Sequence, residues 1–407
     1  MLFQSAAASV GGLSLNSFEF LLISAAAIII SCVVSHQPVR NCALLLLSLA
    51  FFAGFAFDPA SIAVLGCFLA VSYWIGLLRK QYGARFTMEL QLVVIAGLWI
   101  FLFLARDPKL LGGANPFHYL PIHIIGISYM VFRSISYLME VEFIGKPSFL
   151  RFCLYVMFFP ALLAGPIERY RTFEGQLASP VFDSKAVMPA LHRIANGMIK
   201  KFVLADNLAV FGIFSFDNAA EMSGPMLWAG ALSQLGLIYL DFSGYCDIVI
   251  GTASLMGFRL VENFNRPFDS TTIQEFWNRW HISLSTLVRD YIFTPINIIV
   301  IKKAPRRIQF ALISLVYFGS MILIGLWHGV TWGFLAFGTI HGGALVASQL
   351  HRKYVGVGAK GPVSWPVIYL RRILVYAFVS TTLILWLKSY SEWGAIYGKM
   401  LGLQLWH

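Results

Sequence analysis

The sequence predicts an all-α protein that crosses a membrane many times. Its 407 residues are 58% hydrophobic and only 12% charged, against about 25% charged in a soluble domain. Several apolar runs approach the ~20 residues a helix needs to cross a bilayer core. The basic residues gather in short clusters between such runs, at Arg79/Lys80/Arg85, Lys302/Lys303/Arg306/Arg307 and His351/Arg352/Lys353. With less clean stretches counted, about eleven spanning or re-entrant helices are expected.

The plain runs come first, at 20–34, 43–57, 62–78 and 90–105. The first seventeen residues hold no Lys or Arg, so no cleavable signal peptide is expected and the first span should stay in the mature protein. Basic loops remain cytoplasmic. Counting back from Arg79 through two short spans puts Arg40 inside, Asp58 outside and the N-terminus outside. The 30 Lys and Arg against 19 Asp and Glu are read the same way, as topology and not as nucleic-acid binding. Cys32, Cys42, Cys67, Cys153 and Cys246 lie singly in or beside apolar segments and are expected to pack, not to bridge or bind metal.

From about 110 to 350 polar residues interrupt the apolar pattern. Between Pro189 and Val203, apolar pairs alternate with His192, Arg193, Asn196, Lys200 and Lys201, which predicts a basic amphipathic helix in the membrane interface. The stretch 262–290 holds Glu262, Arg266, Asp269, Glu275, His281, Arg279, Arg289 and Asp290. Each charge at a bilayer centre costs ~2.5–3.5 kcal/mol, so this stretch must face protein, water or the interface. Pro267 ends what precedes it, and Thr272 with Glu275 three residues on has the form of a capping box. A helix is expected from there, with Ile273, Phe276, Trp277, Trp280, Leu284, Leu287, Val288 and Tyr291 on its apolar face and Asn278, His281 and Ser285 along one polar stripe.

A second polar island is Gly-Leu-Trp-His-Gly at 325–329. Gly325, Gly329 and Gly333 fall four apart, a small-residue face on which another helix can approach closely. One more plain run, 373–387, closes the pattern. No long linker and no internal repeat divides the chain, so a single membrane domain over 1–407 is expected, with function in its middle.

His328 is the residue best suited to chemistry. An imidazole of near-neutral pKa can take a proton from a hydroxyl, and such general-base help is worth about 10²–10⁴ in rate. The plainer reading is a histidine that hydrogen-bonds across helices to hold the bundle. That reading weighs more for His281, His123 and His341, since dense polar segments contain residues that only satisfy one another. Trp277, Trp280, Trp327 and Trp332 stand near the histidines in sequence, as packing residues or as walls that keep water from a reactive thioester. No H-x-x-x-H, H-E-x-x-H or G-x-S-x-G spacing occurs, so no metal site or serine nucleophile is indicated.

Phe-Trp-Asn-Arg-Trp-His-Ile-Ser-Leu-Ser at 276–285, followed by Arg289-Asp290-Tyr291, and Gly-Leu-Trp-His-Gly at 325–329 resemble the two histidine signatures of the membrane-bound O-acyltransferases, in the same order and at about the same separation. Gly126-Ile-Ser-Tyr129, Ala164-Gly-Pro-Ile-Glu168, Asp241-Phe-Ser-Gly-Tyr-Cys-Asp247 and Glu262-Asn-Phe-Asn-Arg-Pro-Phe268 extend the likeness across about 120–350. Within the family the chain is similar to the branch that D-alanylates teichoic acid. Its length, Phe149-Leu-Arg-Phe152, the run Thr294-Pro-Ile-Asn-Ile-Ile-Val-Ile before Lys302 and the lack of a Pro-Leu-Gly-Gly loop carry that comparison.

The resemblance implies a ring of helices around a thin centre, a funnel open to the outside and a narrow channel to the cytosol. His328 matches the family's essential histidine and His281 the second one, with Asn278, Trp280, Ser285, Trp327 and Trp332 lining or supporting the channel. No bound cofactor is implied. The donor would be a D-alanyl phosphopantetheine thioester on an acidic cytosolic carrier protein, and the acceptor a cell-envelope polymer or a small relay partner outside the cytoplasmic membrane of a bacterium. Lys302, Lys303, Arg306, Arg307, Lys200 and Lys201 are docking candidates by charge complementarity, or simply positive-inside topology. The alternatives are acetyl transfer to an exopolysaccharide or peptidoglycan, a permease or flippase, and a silent scaffold subunit.

Overall fold

The computed structural model describes residues 18–54, 58–107, 109–117, 124–178, 183–356, 364–387 and 390–403; His123 lies outside them. Among these residues the chain is helical, with no β-structure beyond one antiparallel bridge. The helices are α1 Phe18–Val33, α2 Gln37–Ala53, α3 Pro59–Tyr82, α4 Met88–Arg106, α5 Ile127–Glu140, α6 Phe149–Met157, α7 Tyr170–Ala178, α8 Ser184–Met198, α9 Asp206–Ala209, α10 Gly224–Leu255, α11 Ile273–Arg279, α12 Ile282–Val288, α13 Thr294–Lys303, α14 Arg306–His328, α15 Trp332–Tyr354, α16 Trp365–Thr382 and α17 Trp393–Met400.

Six segments among the described residues are long and apolar enough to cross a membrane: Pro59–Tyr82, Met88–Arg106, Gly224–Leu255, Ile282–Lys303, Arg306–His328 and Trp365–Trp386. Two shorter apolar helices precede them, Glu19–Val33 and Gln37–Ala53. The protein is thus polytopic. Shorter helices accompany the spans, such as α5 and α6 of 14 and 9 residues; these are too short to cross a ~30 Å core alone and are of the kind that the expected count of about eleven spanning or re-entrant helices includes.

By its contacts the chain forms two compact units, Met1–Ala195 with Cys246–Val261, and Asn196–Tyr245 with Glu262–His407. In the first, two buried arginines donate to backbone carbonyls. Arg40 donates to Leu177 O at 2.9 Å, and Arg133, 2% exposed, donates to Val156 O at 2.9 Å and to Ala161 O. Arg133 thereby holds the irregular segment after α6, where no helix supplies partners for those carbonyls. Gly126 opens α5 with φ of +75°, and a Cβ there would strike Leu162 O, which explains the glycine of Gly126-Ile-Ser-Tyr129.

The basic amphipathic helix forms as α8 and continues through a π-turn at Ile199–Ala205, and two of its cations are paired with aspartates of α10. In the first unit Arg193 pairs with Asp247 at 3.0 Å, and Gly251 lets Ala190 and Ile194 approach α10. In the second, Lys201 pairs with Asp241 and has a side chain only 13% exposed, beside Gly244. This pairing corrects the docking role expected of Lys201, whose charge is neutralised inside the protein. The two aspartates and the glycine between them account for the Asp241–Asp247 segment.

In the second unit α14 and α15 form an antiparallel hairpin. Gly338 and Gly342 admit the backbone and side chains of Phe318, Met321 and Ile322, and Lys353 Nζ sits 3.6 Å over the Phe310 ring. Exposed Lys302, Lys303, Arg306 and Arg307 therefore share one end of the hairpin with Arg352 and Lys353. His328 stands at the other end, about 30 Å away along a 23-residue helix.

Candidate active site

His328 is the last residue of α14, and the chain turns through Gly329 and Val330 before Thr331 caps α15 by accepting from Phe334 N at 3.4 Å. This cap interrupts the helical face expected of Gly325, Gly329 and Gly333. The three glycines instead make separate close approaches, Gly325 to α15, Gly329 to the Phe334 ring and Gly333 to Leu385 O. Small residues are needed at each point because backbone or ring atoms occupy the space of a Cβ.

The half-buried imidazole of His328 stands among aromatic rings. Its centroid lies 4.7 Å from Trp327, 4.8 Å from Trp386, 5.9 Å from Phe334 in a stacked orientation and 6.4 Å from Phe337. Trp386 ends the turn Leu383–Trp386 that follows α16. It was not singled out in the sequence, where it is one tryptophan in a plain apolar span; only the fold brings it to His328.

His281 reaches the same indole from the other signature. Its ring lies 5.9 Å from Trp327, edge to face, and 4.8 Å from Phe242. The side chain is 5% exposed, and neither ring nitrogen finds a hydrogen-bond partner among the described residues. A buried polar group left so costs about 1–3 kcal/mol, and it is available to a substrate. One indole, Trp327, thus touches both imidazoles.

The continuous helix expected over 273–291 is broken, and with it the stripe of Asn278, His281 and Ser285. α11 ends at Arg279, Trp280 is extended, and His281 is left-handed at φ 44°, ψ 52° before α12 begins. The cause is a pairing with the segment before Pro267. Phe264 bridges Trp280, Asn265 N donates to Arg279 O at 3.0 Å, Ile282 N donates to Asn263 O at 2.9 Å, and Ser283 N donates to Asn263 Oδ1 at 3.2 Å. Asn263 therefore caps α12, a role no local pattern announced. Thr272 does cap α11, accepting from Glu275 N at 3.1 Å, while the Glu275 carboxylate accepts from Thr271 N and Oγ1 and from Arg279.

The polar island pairs its own charges. Asp269 meets Arg266 at 2.7 Å and Arg372 of α16 at 3.3 Å, Glu275 meets Arg279 at 2.8 Å, and Arg289 meets Asp290 at 2.7 Å. Of the supporting residues expected, Trp327 joins both histidines and Ser285 lies one turn after His281, its N–H donating to His281 O at 3.1 Å. Trp280 packs into Phe276, Phe264 and Tyr239, Asn278 is exposed, and Trp332 is 68% exposed. These three therefore do not join the wall around His328. An apolar first turn of α15 points Phe334 and Phe337 inward and leaves Trp332 facing out. Trp277 binds His341.

The arrangement is a proton acceptor beside a second imidazole, with aromatic surface on several sides. Such a site can activate a hydroxyl and keep water from an acyl group held next to it. The profile of the MBOAT, membrane-bound O-acyltransferase family matches residues 46–356. The chain is 34% identical over 363 residues to a probable alginate O-acetylase of Azotobacter vinelandii, covering 83% of this chain and 69% of that protein. It is 30% identical over 300 residues to a peptidoglycan O-acetyltransferase of Helicobacter pylori (65% and 54%), and 34% identical over 253 residues to a teichoic acid D-alanyltransferase of Streptococcus thermophilus (56% and 57%). The likeness to the alginate protein thus runs along more of the chain than the likeness to the D-alanyltransferase. With both signatures inside the matched segment, the chain belongs to the membrane-bound O-acyltransferase family and is a polytopic O-acyltransferase.

Proposed function

We propose that the protein transfers an acyl group of the acetyl class to hydroxyls of an extracytoplasmic polysaccharide, with His328 as general base. The observation that carries this reading is the single indole of Trp327 between the two imidazoles. The length of chain shared with an alginate O-acetylase supports the choice of acyl group and acceptor. In the step envisaged, the His328 imidazole takes the acceptor hydroxyl proton as its oxygen attacks the carbonyl carbon of an acyl thioester. The C–S bond then breaks, and the proton held on His328 goes to the departing thiolate. His281, buried and unpartnered among the described residues, donates a hydrogen bond to the carbonyl oxygen as negative charge develops there. The enzyme would sit in the cytoplasmic membrane of a bacterium.

A second reading, D-alanyl transfer from a carrier-protein thioester, draws on the exposed basic end of the hairpin. Lys302, Lys303, Arg306 and Arg307 there, with Arg352 and Lys353, suit an acidic carrier, and a small relay partner outside would receive the acyl group. Base-labile acetate and base-labile D-alanine in the envelope fraction, measured in cells carrying the wild type or His328→Ala at matched expression, test both. Acetate that disappears by about 10²-fold or more in His328→Ala supports the first reading. D-alanine with the same dependence replaces it by the second, and ester content equal in both strains refutes the role of His328.

A further inference from the structure

His341 belongs to neither signature, yet it is 0% exposed and both its ring nitrogens are engaged. Trp277 Nε1–H donates to Nδ1 at 3.2 Å. An indole nitrogen only donates, so Nδ1 is the acceptor, and in a neutral imidazole the proton then sits on Nε2. Nε2 lies 2.9 Å from Thr382 Oγ1, whose own proton is directed to Val379 O at 2.7 Å. The partners thus assign the tautomer and every proton from Trp277 to Val379.

This chain joins three elements of the site. Trp277 is on α11, which leads directly into the break at His281. Thr382 ends α16, immediately before the turn that carries Trp386. His341 is on α15, whose Phe334 and Phe337 lie against His328, and Phe337 also lies 4.3 Å from the His341 ring. We propose that His341 is a positioning residue for acyl transfer. As a neutral donor and acceptor it locks α11 and the Leu383–Trp386 turn onto α15, so that His281, Trp386 and His328 keep their places around Trp327. This inference rests on the roles given above to His328 and His281.

A histidine that only fills the core makes a different prediction, a loss of stability with unchanged turnover per folded molecule. The test compares His341→Phe, which keeps a ring but neither bond, with His341→Gln, whose amide offers one acceptor and one donor, and with Trp277→Phe and Thr382→Val, which each remove one bond. Ester formation in the polysaccharide is measured per molecule of folded full-length protein in the same membranes, with thermal midpoints recorded alongside. His341→Phe should slow transfer by about 10²-fold, the cost of misplacing reacting groups by ~1 Å, and His341→Gln should recover most of it. Trp277→Phe should slow transfer on its own, yet add nothing to His341→Phe, since His341→Phe already removes the Trp277 bond. Should His341→Phe not fold, Trp277→Phe and Thr382→Val carry the test. Wild-type turnover per folded molecule in these variants, with His328→Ala inactive, overturns the inference alone; wild-type turnover in His328→Ala overturns the underlying site.

Discussion

Gly333 offers a way to perturb the site without touching either histidine. It is the second residue of α15, and a Cβ there runs into the carbonyl oxygen of Leu385, with Leu385 C at 3.0 Å and the Trp393 ring at 3.4 Å. Seating the methyl of Gly333→Ala therefore moves the Leu383–Trp386 turn, and with it Trp386, whose ring is 4.8 Å from His328. Overpacking of this kind costs ~1–3 kcal/mol. A displacement of roughly 1 Å at a reacting centre costs about 10²-fold in rate. Gly343 on the same helix has open space where its Cβ would go, so Gly343→Ala is the control and should gain ~0.5–1 kcal/mol from the reduced freedom of the unfolded chain. Thermal midpoints in detergent and ester formation per folded molecule read both quantities. If Gly333→Ala matches Gly343→Ala in stability and in transfer, the path from the Cβ through Trp386 to His328 is refuted.

Two further outcomes follow from backbone and burial. His281 adopts a left-handed conformation that costs a non-glycine residue ~1 kcal/mol; His281→Gly should therefore unfold at a higher temperature than His281→Ala while both lose transfer by about 10²-fold, and equal midpoints would show that the conformation carries no cost. Burial holds the Glu168 carboxyl above its ordinary range, against the opposing pull of the Arg169 and Val261 N–H groups. The folded state then keeps its proton to higher pH than the unfolded state. Stability contributed by Glu168 is present below the unfolded pKa of about 4.3 and is lost as pH rises through the raised folded value. Glu168→Gln should remove that decline, and an identical pH profile in the two proteins would contradict it.

The sequence carries the class of fold because composition and run length act locally. The Thr272 cap and the order of the two histidine signatures were legible for the same reason. The break at Trp280–His281 was not, since it is imposed by pairing with 263–265, and the apolar face read over 273–291 continues through it undisturbed. The partners of Lys201 and Arg193 are aspartates 40 and 54 residues on along another helix, and only close approach at glycines brings them together. Trp386 and Thr382 come from a span whose own pattern is that of any lipid-facing helix. Long-range placement, not residue type, decides what each of these side chains does.

The profile shared across the family ends at residue 356, yet one wall of His328 is built from Trp386 and the anchor of His341 from Thr382. The site therefore draws on side chains that lie well outside both histidine signatures. Replacing the segment after residue 364 with that of a relative would resize the space beside His328 while leaving both signatures intact. A change of one methylene in such a space shifts substrate preference by ~1–3 kcal/mol. The end of α16 and the Leu383–Trp386 turn are accordingly the place to graft when the enzyme is to be retuned toward a larger or smaller acyl group.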